Sequence, residues 1–251
     1  MSTEPTPTRR PIGTVRVSTV ALLGVVAAVA VPASAAAIVM SGTLDSQHRT
    51  MEISQAGPIS KIVVDVSNSS VHIQGDPTRD TGVIGHTDLT WHGMGKTQPP
   101  FSLEQQYQDG VLTLTKVCNG GTCGSTDIDI QVPPHVALEV TTSNAGIDVS
   151  DISGAVNLHT SNGEVHGQRL GDGNASMYTT NAGIDATFVG APKRIEANTS
   201  NAEVHITTDG KTLYYDRVVT SNATSMLNNR QDRWSDNEID VTTSNATVEI
   251  K

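Results

Sequence analysis

Along the second half of this chain, apolar and polar residues alternate with a period of two, and the alternation restarts at regular intervals. Each restart is marked by serine or threonine, then asparagine, then a small residue. The asparagines are Asn68, Asn144, Asn162, Asn181, Asn201, Asn222 and Asn245, and from the second onward the steps are 18, 19, 20, 21 and 23 residues. Six and four residues before an asparagine stand apolar pairs: Leu138 and Val140, Val156 and Leu158, Ala175 and Met177, Ile195 and Ala197, Ile239 and Val241. Three residues after it stands Ile147, Val165, Ile184, Val204 or Val248. The apolar column changes parity at the asparagine, so each unit predicts two half-buried strands joined by a corner. Polar exceptions fall in the unit of Asn222, where Asp216 and Ser225 hold apolar columns. Asparagine tolerates the left-handed backbone that a sharp corner calls for, and its side chain can bond neighbouring backbone.

Self-similarity at this period predicts an all-β fold, a β-solenoid in which a single-stranded, β-helix-like stack of ~20-residue turns buries a thin core between rungs. Asn144, Asn162, Asn181, Asn201, Asn222 and Asn245 are then a structural ladder at one corner, their amides bonding from rung to rung. The segment 61–74 reads as a first, separate turn. Between it and Leu138 the period lapses, and residues 76–134 carry their own strand signals at 83–91, 101–106, 111–117 and 127–132. Asp109-Gly110 marks a hairpin turn, and Pro133-Pro134 closes the segment. The expectation is an antiparallel meander inserted near the N-terminal end of the stack. At the other end the sequence halts within the last strand, which predicts an open C-terminal edge.

Ahead of the 58–251 domain, residues 1–16 are polar and proline-bearing, as in a disordered cytoplasmic tail. Residues 17–40 run without a charge, long enough for a transmembrane helix, with Arg9, Arg10 and Arg16 on the side that stays inside. Pro32-Ala33-Ser34-Ala35 also fits a signal-peptidase site, so two localisations stand. One is a single-pass membrane protein with its domain outside the cytoplasm; the other is a protein secreted after cleavage. Residues 41–57 read as a polar linker.

Aromatic residues make up only 3% of the chain, which suits a thin core of Val, Ile, Leu and Thr better than a thick one. The formal charge is −10; Arg9, Arg10 and Arg16 against Glu4 give residues 1–40 a charge of +2, so the remainder carries −12. That balance argues against nucleic acid as a partner. Cys118 and Cys123 enclose Asn-Gly-Gly-Thr, a spacing suited to a disulfide at a hairpin tip; a CxxC redox motif is excluded, and no further ligands stand nearby for zinc. An oxidised pair implies export.

The runs TTSNAGID at 141–148, TSNGEVH at 160–166, TTNAGID at 179–185 and TSNAEVH at 199–205, with the earlier VDVSNSSVHIQG, resemble the TSNG-repeat domains of a bacterial candidate-adhesin family of unknown function. A short tail, one membrane helix and this domain outside resemble its actinobacterial members. The resemblance implies a β-solenoid on the cell envelope, with adhesion as the proposed role and no catalytic residues to carry over. Alanine in place of glycine after most asparagines departs from that pattern.

Four residues after the asparagines stand Asp148, His166, Asp185 and His205, with His72 and Glu249 in the same column and Glu164 and Glu203 beside it. On parallel strands these alternate up one outer face. They form either a solvated face that avoids stacking like charges, or a pH-sensitive or cation-binding ladder with His166, His205, Asp148 and Asp185 as metal candidates. No cofactor motif, nucleophile elbow, HExxH or phosphate loop occurs, and the carboxylates do not converge, so the reading is non-catalytic. The partner expected is an envelope protein or a glycan, although no aromatic platform for sugar rings is evident. The alternative is an envelope scaffold or stress-signalling element, with homo-assembly through the open edge; a polysaccharide-active enzyme ranks third.

Overall fold

The computed structural model describes residues 46–92, 98–119 and 123–251. The tail at 1–16, the apolar segment at 17–40 and the first residues of the expected linker lie outside the described residues. Among those described, no helix is long and apolar enough to cross a membrane. The fold is all β. Its first seven strands are β1 (Ser46–Gln55), β2 (Lys61–Asp65), β3 (Ser69–Gly75), β4 (Val83–His92), β5 (Phe101–Gln108), β6 (Val111–Cys118) and β7 (Ser125–Val132). The repeats supply β8 (Ala137–Thr141), β9 (Ile147–Ser150), β10 (Val156–His159), β11 (Val165–Leu170), β12 (Ala175–Tyr178) and β13 (Ile184–Phe188). Then come β14 (Arg194–Asn198), β15 (Val204–Thr207), β16 (Tyr215–Thr220), β17 (Ser225–Leu227), β18 (Glu238–Thr243) and β19 (Val248–Ile250).

Each repeat turn gives one strand to each of two long, mostly parallel sheets, an arrangement of β-solenoid-like form. The ten-stranded sheet runs β1-β4-β7-β3-β9-β11-β13-β15-β19-β17, and the nine-stranded one β16-β18-β14-β12-β10-β8-β2-β6-β5. Parallel register sets each apolar column on itself: Val156 pairs with Leu138 and Ala175, and Val165 with Ile147 and Ile184. These side chains are fully or almost fully buried, the Val, Leu and Ile ones each contributing roughly 1.5–3 kcal/mol when wholly removed from water.

The corner differs from the expected one. Of the seven asparagines only Asn68 has a positive φ, at 51°; the others turn without left-handed backbone. What holds the corner is a pair of hydrogen-bond ladders. Outside, the asparagine amides bond in series. Inside, the threonines two residues before Asn144, Asn162, Asn181 and Asn201 are buried and donate to the carbonyl of the small corner residue one rung away. Thr142 Oγ1 reaches Ser69 O at 2.9 Å, Thr160 reaches Ala145 O at 3.1 Å, and Thr179 reaches Gly163 O at 2.9 Å. Thr199 repeats this with Ala182 O at 3.0 Å.

Three further expectations are corrected. The linker is not a stalk throughout, because β1 occupies 46–55 and pairs antiparallel with β4, Met51 packing towards Leu89, Trp91 and Phe101. The segment 76–134 is not one meander. β6 and β7 form an extra parallel coil against β2 and β3, while β5 and β4 flank it antiparallel in opposite sheets. Asp109 and Gly110 both take positive φ, 51° and 81°, in the tight turn from β5 to β6. Nor is the last strand an edge, since β18 and β19 slot between β14/β15 and the earlier β16/β17. The outer position goes to the unit whose columns are broken. Asp216 sits level with Ile239, its Oδ1 bonded by Asn229 Nδ2 at 3.1 Å and its Oδ2 buried without a partner. Burial raises its pKa. An inward charge on an edge strand discourages another chain from pairing there.

Candidate functional site

The expected asparagine ladder is continuous. Asn144 bonds Asn68; Asn162 Nδ2 reaches Asn144 Oδ1 at 2.7 Å, and Asn181 reaches Asn162 at 2.7 Å. Asn201 reaches Asn181 at 2.9 Å, Asn245 reaches Asn201 at 3.0 Å, and Asn222 reaches Asn245 at 2.9 Å. Spatial order thus places Asn245 before Asn222. Every donor is a side-chain amide whose oxygen, except at Asn222, serves the next rung, which fixes the corner and spaces both outer faces evenly.

On the ten-stranded sheet, Asp148, His166, Asp185 and His205 take successive register positions. The column is longer than the repeats imply. Glu52, His86, Asp129 and His72 precede Asp148, and Glu249 follows His205, so acid and imidazole alternate over nine strands before Met226 ends the run. The imidazoles contact carboxylates singly or in pairs: His166 Nε2 lies 3.2 Å from Glu164, and His205 lies 3.2 Å from Glu203 and 3.1 Å from Glu249. The hydrogen bond from His205, with Lys251 nearby, lowers the pKa of Glu249. Among the described residues, no group of three or more His, Cys, Asp or Glu is disposed to hold a metal ion. Alternation keeps like charges off adjacent strands, where they would repel.

The outer face of the nine-stranded sheet carries a different surface. Lys61, Ala137, Ala155, Asn174 and Arg194 share one column, and Glu139, Asn157, Ser176 and Glu196 the next. Small residues in the middle leave a depression of about 340 Å³. Lys61 Nζ pairs with Glu139 at 2.6 Å at one end; Arg194 pairs with Glu238 at 2.6 Å and Glu196 at 3.7 Å at the other. One column further, His159 and Tyr178 stack, ring centroids 4.6 Å apart and planes 6° from parallel. An aromatic pair therefore stands on this face, where no aromatic platform was evident in the sequence. Both residues stand three before their asparagine, so the offset that aligned the core would have aligned them too.

Cys118 and Cys123 are joined as a disulfide, Cα atoms 5.7 Å apart. Beside it Lys116 Nζ donates to Ser67 O at 2.8 Å and Gly124 O at 2.6 Å, and lies 4.8 Å from the Phe101 ring centroid. Burial nonetheless pulls its pKa down to about 8.

No family model matches the chain, and no curated protein matches it in sequence. Among solved structures, a candidate cell adhesion protein from Clostridium sporogenes is similar over 80% of this chain and 99% of that one, with 11% identity and a TM-score of 0.41. A candidate adhesin from Parabacteroides merdae covers 81% and 96%, at 13% identity and 0.30. Another, from Bacteroides fragilis, covers 80% and 97%, at 10% and 0.31. Likeness at these scores carries no inference about function.

Proposed function

We propose that this chain is a non-catalytic surface module of the cell envelope, anchored through residues 17–40 and presenting a β-solenoid for adhesion to a wall or extracellular partner. Secretion after cleavage near Ala35 is the alternative route to the same surface. One observation carries the reading: outward polar columns stay in register from strand to strand across both sheets. Side chains held on internal strands at a fixed spacing of about 4.8 Å suit many weak, repeated contacts. The disulfide supports an oxidising compartment, and the motif resemblance of residues 141–205 agrees with an envelope role.

Retention tests this. The full chain in detergent, coupled to beads, is exposed to fragmented cell envelope and to extracellular matrix preparations. Saturable capture above that of the heat-unfolded chain is expected. Capture equal to the unfolded control for every preparation defeats the proposal.

A further inference from the structure

We propose that the depression on the nine-stranded sheet binds an uncharged, hydroxyl-rich glycan laid across the strands. This rests on the surface-binding reading above and names its ligand class. Three features select the ligand. First, the floor offers unused polar groups: among the described residues Asn157 and Ser176 make no side-chain hydrogen bond within the protein, and Asn174 uses its Oδ1 on the Arg194 N–H at 3.1 Å. Amides and hydroxyls both donate and accept, as sugar hydroxyls do. Second, each cation at the rim is already matched by carboxylates, Lys61 by Glu139 and Arg194 by Glu196 and Glu238. An anionic polymer therefore meets no free positive charge. Third, the His159–Tyr178 stack stands two residues along the same strands from Asn157 and Ser176, with Tyr178 39% exposed. An aromatic body with a polar tip suits a ligand that is apolar on its ring faces and polar at its edges.

The dimensions agree. Glu139 and Glu196 are three strand spacings apart, or ~14 Å, room for a short run of sugar rings. An extended peptide fits less well, because β8, β10, β12 and β14 are all internal strands and offer no edge to pair with.

The test is an array of neutral and anionic oligosaccharides probed with the full chain in detergent. Binding to a neutral member is expected, followed by calorimetric titration of that oligosaccharide. Tyr178→Ala and, separately, Asn157→Ala are expected to weaken it about two- to ten-fold, with both variants still folded by circular dichroism. Asp185→Asn, on the other sheet, leaves it unaltered, and raising salt has little effect. Retention of anionic members only, of no member, or wild-type affinity in both groove variants overturns the proposal. Envelope capture that persists unchanged in Tyr178→Ala and Asn157→Ala removes the groove while leaving the surface-binding reading intact. Loss of all capture by the wild type removes both.

Discussion

Two triple substitutions of equal chemistry separate a connected amide ladder from seven independent asparagines. Six amide–amide bonds link Asn68, Asn144, Asn162, Asn181, Asn201, Asn245 and Asn222 in that order. Alanine at Asn162, Asn181 and Asn201 breaks four of them, because neighbours share bonds. Alanine at Asn144, Asn181 and Asn245 breaks all six. These amides are exposed and compete with water, so each bond is worth the low end of the usual range, about 0.5 kcal/mol. The adjacent set then costs about 2 kcal/mol and the alternating set about 3 kcal/mol. For a domain near 200 residues, each kcal/mol moves the melting midpoint by about 2–4 °C, so the alternating variant melts roughly 2–4 °C below the adjacent one. Calorimetry and urea unfolding, monitored at several probes because repeat stacks can lose cooperativity, supply the measurement. Equal midpoints, or a lower one for the adjacent set, refute the ladder as an energetic unit.

Asp216 gives a pH signature. Burial raises its folded pKa, so the native chain binds the proton more tightly than the unfolded one. Stability falls as pH climbs from the ordinary carboxylate value through the raised one; Asp216→Asn flattens that slope in urea midpoints, and an unchanged slope contradicts the assignment. At Gly163, an added Cβ would sit 1.8 Å from Ala145 O, so Gly163→Ala is expected to cost about 1–3 kcal/mol. Ala182→Gly at the next corner costs less, about 0.4–1 kcal/mol, and parity between the two sinks the steric account. Reducing Cys118–Cys123, five residues apart, removes a small loop constraint worth about 2 kcal/mol, read as a lower thermal midpoint under reductant.

How much of this was legible beforehand depends on what each residue reports. Leu138, Val156, Ala175 and Ile195 share an offset from an asparagine, and parallel pairing preserves offsets, so the core columns and the alternation of Asp148, His166, Asp185 and His205 follow from counting. Antiparallel pairing preserves nothing of the kind. Glu52 and His86 join the same stripe only because β4 pairs against β7 and β1 against β4, a register that no repeat encodes, while Asp129 joins it through the parallel β3–β7 pair of a coil that carries none of the seven asparagines. The exchange of the last two turns is written in Asp216 and Ser225, whose polarity suits an outer coil, whereas chain order alone implies the reverse stacking. His159 and Tyr178 share an offset as well, three residues before their asparagines, but only two turns carry a ring there, so the column does not stand out as a repeat.

The exchange of the last two turns also bears on synthesis. Residues 215–227 leave the ribosome before residues 238–250, yet they dock on the strands those later residues form, through Asn228 N to Ile250 O and Val248 N to Thr224 O. A nascent chain interrupted near residue 230 therefore presents two raw borders at once, the flank of β14/β15 and an orphaned coil. Both remain sticky until one final insertion seals them together.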